Sequence, residues 1–545
     1  MKKISIVLSI IIVAFTIITA CKRGITDDVR VNVNTAQYSN SILLRFVNAN
    51  GASATRPGNF DVKITGTGAN YLVNQDGQPN FFAKLGMAPL FVKNNQLLSS
   101  SNRITFKIDV SAPGFLRLVK DIVVTASEPS VVTVYLQEQG SPPLGVAIKT
   151  IDIGLLNGVV QSDQTITTPT PSGTTETVTL QLDSGTQLLD ANGVAISAGN
   201  VSTNIQFYSA QSPSANNAFP GGLEPQSVRG PDGNIIEGGL NFVTAGMFTM
   251  NMKAGNTEVK KFSKPITASI ELNANQDNFE TGNPIQAGDS IPVWSLNEET
   301  GEWIYEGQAT VFSDNGKLNA KFEMSHLSGW NLDWGWSYFG SYGTCQKPLT
   351  VNIQTNLSGG NYEITMVTPN GNYLGALHST PISNGMKAVF ASTPNTANVK
   401  IRITDNNNGG KLIGESELFN PCTKGSVAIV ANGVAPDYVN IDVSIMASCS
   451  NKPVDAQLSN WFYLFNGTSY ETSFYSGTSN KAKFTLENGK TYKLETFYKG
   501  TTYTVNIPLS KTNFVVPSVN GLKCTATYDA TTNTLKIVGV LSVVC

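Results

Sequence analysis

Charge is scarce in this 545-residue chain: Asp, Glu, Lys and Arg make up 14% of it, against about 25% in an ordinary soluble domain. A long coiled coil, which needs a Glu/Lys/Arg-rich surface, is excluded. The net charge of −2 gives no electrostatic pull on nucleic acid, so no nucleic-acid partner is expected. Histidine is rarer still, with only His326 and His378, which rules out a multi-His metal site. No Cys-x-x-Cys occurs and no His lies near a Cys pair in sequence, so no metal is expected at the cysteines. There is no Gly-x-Ser-x-Gly elbow, P-loop or His-Glu-x-x-His, and no cofactor is expected. A carboxylate-pair glycosidase would leave no readable spacing, but no strand–helix alternation offers a barrel site for one. What the chain does have is 41% hydrophobic residues, enough for packed cores and too many for a charge-driven disordered protein. The length suits about three to five domains.

Lys2 and Lys3 precede an almost unbroken apolar run from Ile4 to Ile18. This is the layout of a signal peptide, residues 1–20, and the run is short for a bilayer span of roughly 20 residues. It closes on Ile18-Thr19-Ala20-Cys21. Small residues before a lone Cys resemble the lipobox of bacterial lipoproteins. The resemblance implies that Cys21 is acylated and becomes the mature N-terminus, with several acyl chains (palmitate among them) making a stable anchor. No later stretch is apolar over a spanning length, so the mature chain is expected to be held at the membrane by its lipid and not to cross it. Lys22 stands where an Asp often signals inner-membrane retention, which favours the outer membrane. Asp27-Asp28 resembles the acidic export tag of surface-exposed lipoproteins of Bacteroidota-like bacteria. Residues 21–39 read as a polar tether.

Beyond the tether, period-2 alternation recurs, as in Arg103 to Val110 and Val399 to Thr404, and this marks half-buried antiparallel strands. Turn signals separate the runs: Thr368-Pro369-Asn370-Gly371, Pro231-Asp232-Gly233-Asn234 and Asn432-Gly433. The expected class is all-β, a series of antiparallel β-sandwich domains of immunoglobulin-like or transthyretin-like kind. The first covers 40–140. Its segment Ser111-Ala112-Pro113-Gly114-Phe115, followed by two β-rich runs, resembles carboxypeptidase-regulatory or transthyretin-like β modules. Ser141-Pro142-Pro143 marks a boundary, and Ser162 to Thr177 reads as a linker or a long hairpin. Asp405 to Gly410 hints at a calcium loop, but Ser416 stands at its twelfth position where an EF-hand needs Glu, so a hairpin turn is expected.

Two stretches near the end look alike. Cys345-Gln346-Lys347-Pro348-Leu349 recurs, one residue longer, as Cys449 to Val454, and the strand-like run Val439 to Cys449 matches Leu535 to Cys545. The spacing, about one sandwich length, suggests two tandem modules, 345–448 and 449–545, arranged as beads on a string. The five cysteines beyond Cys21, namely Cys345, Cys422, Cys449, Cys524 and Cys545, all lie here and are candidates for disulfides in an oxidising envelope. Two schemes compete. One pairs Cys422 with Cys449 across a hairpin turning at Asn432 to Asp437, and Cys524 with Cys545. The other pairs Cys345 with Cys422 and Cys449 with Cys524. Either leaves one cysteine over.

All but one of the six tryptophans fall between Trp294 and Trp336. Gly288 to Gly307 reads as a strand, a tight polar turn and a returning strand. Then comes His326-Leu327-Ser328, while Pro220-Gly221-Gly222-Leu223 and Ala245-Gly246-Met247-Phe248 lie upstream. The whole of 141–344 resembles the ZU–UPA type β supermodule of ankyrins, netrin receptors and death-domain scaffolds, and its bacterial surface relatives. In some members a closing His-Phe-Ser triplet cleaves itself by an N→O acyl shift, chemistry that needs a hydroxyl beside a strained peptide and a nearby base. Carried over, His326 is the base and Ser328 the nucleophile on the Leu327–Ser328 bond. Here Leu stands where the family has Phe. Separately, Trp303, Trp330, Trp334 and Trp336 are candidates for stacking on sugar rings; the competing reading is packing in the core and between domains.

The sequence therefore points to a non-enzymatic, membrane-anchored envelope lipoprotein acting in adhesion, binding or scaffolding, with a protein or glycan partner. A self-cleaving β module and a carbohydrate-binding surface protein are the alternatives.

Overall fold

The alternation in sequence becomes alternation in burial. In the computed structural model, Ile104–Val110 runs buried and half-buried by turns, and Ser426–Ala431 runs exposed and buried. The structure describes residues 31–544, apart from 34–37, 39, 94–97, 100–101, 126–128, 397, 406–409, 435–436, 468, 478–480, 499–500 and 520. The stretch 1–20 expected to be a signal peptide, Cys21, Cys545 and the middle of the Asp405–Gly410 turn lie outside the described residues. That turn joins two antiparallel partners, Lys400–Asp405 and Lys411–Glu415. Strands dominate, with one short α-helix, Pro213–Ala218, among the described residues. Its first turn is capped by Ser212, whose Oγ accepts from the Ala215 N–H.

The chain divides into two compact units, one spanning Ile42–Ala435 and the other joining the N-terminal segment through Ser41 to Pro436–Cys545. Three sandwiches with one strand plan are distributed between them. In the sandwich at 40–140 one sheet contains Met87–Val92, Ser41–Asn48 and Ser130–Leu136 side by side. The other runs Phe81–Ala83, Phe60–Thr65, Ile104–Val110, Leu118–Val124. Numbered within the sandwich, these orders are fourth–first–seventh and third–second–fifth–sixth. The same orders recur at 345–435, with Lys387–Phe390, Leu349–Thr355 and Ser426–Ala431 facing Tyr373–Ser383, Ser358–Val367, Lys400–Asp405 and Lys411–Glu415. They recur again in the last sandwich once its added strands Val454–Gln457, Phe514–Val519 and Leu522–Asp529 are set aside. There Lys481–Glu487, Tyr438–Cys449 and Thr534–Val543 face Ser469–Tyr475, Trp461–Asn466, Thr491–Tyr498 and Thr501–Pro508. In all three the first and seventh strands pair in parallel, in registers that include Ile42↔Ser130, Val351↔Val427 and Ile441↔Leu535. The repeat is thus threefold, and each sandwich closes on a parallel pair amid antiparallel neighbours.

This overturns the boundary drawn at 448/449. Val439 to Cys449 and the run that begins at Leu535 are not equivalent strands of successive modules. They are the first and last strands of one sandwich, side by side in one sheet. Two strands with the same faces to cover carry the same pattern, which is why they read as a repeat. The tether is also shortened: Val31–Val33 is a strand, added in parallel to Val454–Gln457 of the last sandwich.

Between the first two sandwiches, the central region forms a 14-stranded sheet. Its path runs through Val146–Leu156, Asn200–Tyr208, Asn241–Ala254, Gly329–Trp336, Ser290–Asn297, Glu302–Asp314, Lys317–His326 and Lys261–Glu271. Gln164–Thr167 pairs with Val178–Leu182, so the Thr/Ser-rich stretch is a long hairpin. One hydrophobic core runs without a break from Ile153 through Trp336 into Leu349 and Ala431. The central sheet and the sandwich at 345–435 therefore share one core.

Cys345 bonds to Cys422, with Cα atoms 5.4 Å apart, inside the usual range for a bridge. The hairpin pairing of Cys422 with Cys449 does not occur, because Ser426–Ala431 and Tyr438–Cys449 belong to different sheets. Cys449 is disulfide-bonded too. Cys524 is a buried free thiol, so neither pairing drawn for it occurs. Its strand, Leu522–Asp529, sets it opposite Gly539 in the sheet.

Candidate functional site

The turn His326-Leu327-Ser328 links Lys317–His326 to Gly329–Trp336, and the sequence motifs quoted around it do come together. Gly221 sits against the Trp303 ring at φ +83°, and a Cβ there would lie 3.0 Å from the indole nitrogen. Glycine is required on both counts. The hairpin built from Ser290–Asn297 and Glu302–Asp314 contains a bulge: Val293 faces Gly307 and Trp294 faces Tyr305, leaving Glu306 as the extra residue. Gly307 takes φ +133° to allow it. Such a bulge re-aims a side chain. Here the Glu306 carboxylate meets the Ser295 hydroxyl, which donates to it at 2.6 Å, and His326 Nε2 at 3.2 Å. Burial works to raise the Glu306 pKa, but the hydrogen bonds from His326 and Ser295 and the His326 charge outweigh it and hold the carboxyl below its ordinary value. Glu306 belongs to no motif, although the neighbouring Gly307 inside an alternating strand is a readable bulge signal.

The His326 ring lies on Trp330, centroids 4.9 Å apart, and its Nδ1 is 3.5 Å from the Leu327 carbonyl oxygen. Ser328 is buried, and its hydroxyl donates to the Leu296 carbonyl. The backbone on both sides is tied down. Leu327 N–H donates to Lys260 O at 2.9 Å, and Met250 N–H donates to Ser328 O at 3.4 Å. Neither Leu327 nor Ser328 has a positive φ. The expected base–nucleophile pair is therefore not assembled. His326 faces Glu306 and the carbonyl oxygen of the bond in question, while the Ser328 proton goes to a peptide oxygen that is no base. An open groove of about 590 Å³ runs beside Glu306, where the pairing of the strands on either side ends at Thr310↔Lys321; Val293, Gln308 and Phe322 line it.

The tryptophans expected to stack on sugars do not reach solvent. Trp303, Trp330, Trp334 and Trp336 are each at most 1% exposed. Trp330, Trp334 and Trp336 project into the continuous core, and Trp303 packs with Phe219 and Phe242 in a second cluster. Trp336 Nε1 donates to Leu374 O at 3.0 Å, binding the central sheet to the sandwich at 345–435. This is the packing role, and it corrects the stacking one. On the opposite face of Gly329–Trp336 lie Asn331 and Asp333, both fully buried. Thr244 Oγ1 donates to Asn331 Oδ1 at 3.0 Å. Both Asp333 carboxyl oxygens lack a hydrogen-bond partner. Burial pushes the Asp333 pKa well above its ordinary value.

Among the described residues no three His, Cys, Asp or Glu come together to hold a metal, and no helix is long and apolar enough to cross a membrane. No family model and no curated relative match the chain. Among solved structures it is similar to a C-terminal fragment of the pilus adhesin SpaC from Lactobacillus rhamnosus GG. That match has 11% identity and a TM-score of 0.16, and covers 37% of this chain and 98% of that one. It is also similar to the minor pilin GBS52 of Streptococcus agalactiae, at 9% identity and a TM-score of 0.13, covering 36% and 96%. The full-length major pilin RrgB of Streptococcus pneumoniae matches at 9% identity and a TM-score of 0.13, covering 92% and 100%. Likenesses this distant transfer no function.

Proposed function

We propose that this chain is a non-enzymatic envelope lipoprotein, anchored in the outer membrane through Cys21, whose serial β-sandwiches act as a scaffold for adhesion or binding. The observation that carries the scaffold reading is the unbroken core joining the central sheet to the sandwich at 345–435. Polar clamps reinforce it. Asp277 holds Asn370 through both carboxylate oxygens, at 2.7 Å to Nδ2 and 3.1 Å to the backbone N–H. Asp121 of the first sandwich accepts the N–H groups of Gln226 and Ser227. Modules tied in this way hold their loops in a fixed geometry, as a display scaffold needs. The seating of Gly221 on Trp303 supports reading 141–344 as ZU–UPA-like. The engagement of Ser328 with Leu296 favours an intact chain over a self-cleaving one.

Metabolic labelling with an alkyne-tagged palmitate tests the anchor. The expected result is label on Cys21, lost in Cys21→Ala together with retention in the outer-membrane fraction. An unlabelled wild type that still fractionates with the membrane would overturn it. Protease treatment of intact cells then decides whether the sandwiches face outward.

A further inference from the structure

We infer that the last sandwich is held close to the membrane surface and that Val31–Val33, Tyr38 and Ser41 are built into it. The inference rests on the lipid anchor at Cys21 proposed above. Val31–Val33 lies in parallel beside Val454–Gln457, in the register Val31↔Val454, Asn32↔Asp455, Val33↔Ala456. Without that added strand, Val454–Gln457 would be the open edge of its sheet, a row of backbone groups that proteins generally cover. The segment is held again further along. Tyr475 donates its hydroxyl to Tyr38 O at 3.1 Å, and the buried Trp461 donates its indole N–H to Ser41 Oγ at 2.7 Å. Asn40 and Ser41 are themselves buried. Because loop-closure cost grows only with the logarithm of length, a segment more than 400 residues away can fill this place at little extra entropic cost.

The distance to the membrane then follows from covalent geometry. Nine residues lie between Cys21 and Val31, and the ten Cα-to-Cα steps from one to the other span at most about 35 Å when fully extended. The sheet edge carrying Val31–Val33 thus stays within that reach of the acyl chains, whatever path the intervening residues take.

Two measurements on the full-length lipidated protein test this. In Asn32→Cys combined with Asp455→Cys, mild oxidation is expected to give a 32–455 bridge in peptide maps. An Asn32→Cys, Thr531→Cys protein should give none. Failure of the 32–455 bridge overturns the inference whether or not Cys21 is acylated. In the second measurement a donor dye at residue 455 reports energy transfer to headgroup-labelled phosphatidylethanolamine in vesicles. Strong transfer is expected, reduced severalfold when Val31, Asn32 and Val33 are all changed to Gly. Acylated Cys21 with no transfer from 455, or transfer indifferent to the Gly changes, overturns the inference. Absence of acyl chains on Cys21 by mass removes the anchor reading while leaving the bridge result to stand.

Discussion

Lys107 and Asp121 are direct cross-strand neighbours in the first sandwich, their Nζ and Oδ1 2.8 Å apart, with Asp121 almost wholly buried. The pair does more than close on itself. Lys107 also donates to Gly301 O at 3.2 Å, and the second oxygen of Asp121 accepts backbone N–H bonds from Gln226 and Ser227 at 2.9 and 3.0 Å. One ion pair thereby secures two loops of the central region. Removing the carboxylate strands a half-buried ammonium and two backbone donors. Asp121→Ala is expected to lower stability by about 3–5 kcal/mol, and Asp121→Asn by less, since its amide oxygen still accepts. Denaturant unfolding of the three proteins checks this; equal midpoints would contradict it.

Asp333 should make the protein less stable as pH rises. Its folded-state pKa lies well above its unfolded value because burial disfavours the charge. The folded protein therefore keeps a proton that the unfolded chain releases. The stabilisation is complete below about pH 4 and is lost progressively on going up through the folded pKa. Asp333→Asn, neutral at every pH, is expected to melt higher than wild type at pH 7.5 and to lose that advantage near pH 3.5. Melting curves at the two pH values decide it.

The peptide bond between Leu327 and Ser328 should survive. With the Ser328 hydroxyl given to Leu296 and His326 turned toward Glu306, the intact mass after purification and storage at pH 7 is expected to show one full-length species. It should be identical in pattern to Ser328→Ala. A C-terminal fragment beginning at Ser328 and absent from Ser328→Ala would show that the pair rearranges.

The thiols should divide sharply. Burial raises the Cys524 pKa to about 11, so native protein at pH 8 should not alkylate there, while denatured protein should. The Cys345–Cys422 bridge closes a long loop, with a sequence separation of 77. Cys345→Ala with Cys422→Ala is expected to cost about 4 kcal/mol on the chain-entropy account.

All six tryptophans are buried. Acrylamide is therefore expected to quench their emission weakly, and envelope polysaccharides should leave the spectrum unchanged. A glycan-induced shift would return the tryptophans to the list of ligand-contacting residues.

Legibility was uneven, for reasons visible in single strands. Ile104–Val110 could be read residue by residue because one face is buried and the other is not. In Gly329–Trp336 the same rule would put Asn331 and Asp333 in water, yet both are buried, because this strand has packed layers on both faces. A turn beginning at Ser328 was readable as the alternative to a self-cleaving triplet. The roles there were not: Glu306 reaches His326 only through a bulge in a different strand, and Ser328 finds Leu296 across the sheet.

The all-β class and the turns follow from patterns only a few residues long, since side chains alternate every second residue along a strand. Which strands meet is another matter. Tyr438–Cys449 lies beside Thr534–Val543, Cys345 bonds to Cys422, and Val31–Val33 completes a sheet at Val454–Gln457. Each of these contacts joins residues far apart in the chain, and backbone pairing is chemically the same whichever strand supplies it. Only the packing of the whole sandwich, choosing the neighbour that leaves fewest polar groups and least apolar surface uncovered, selects among them.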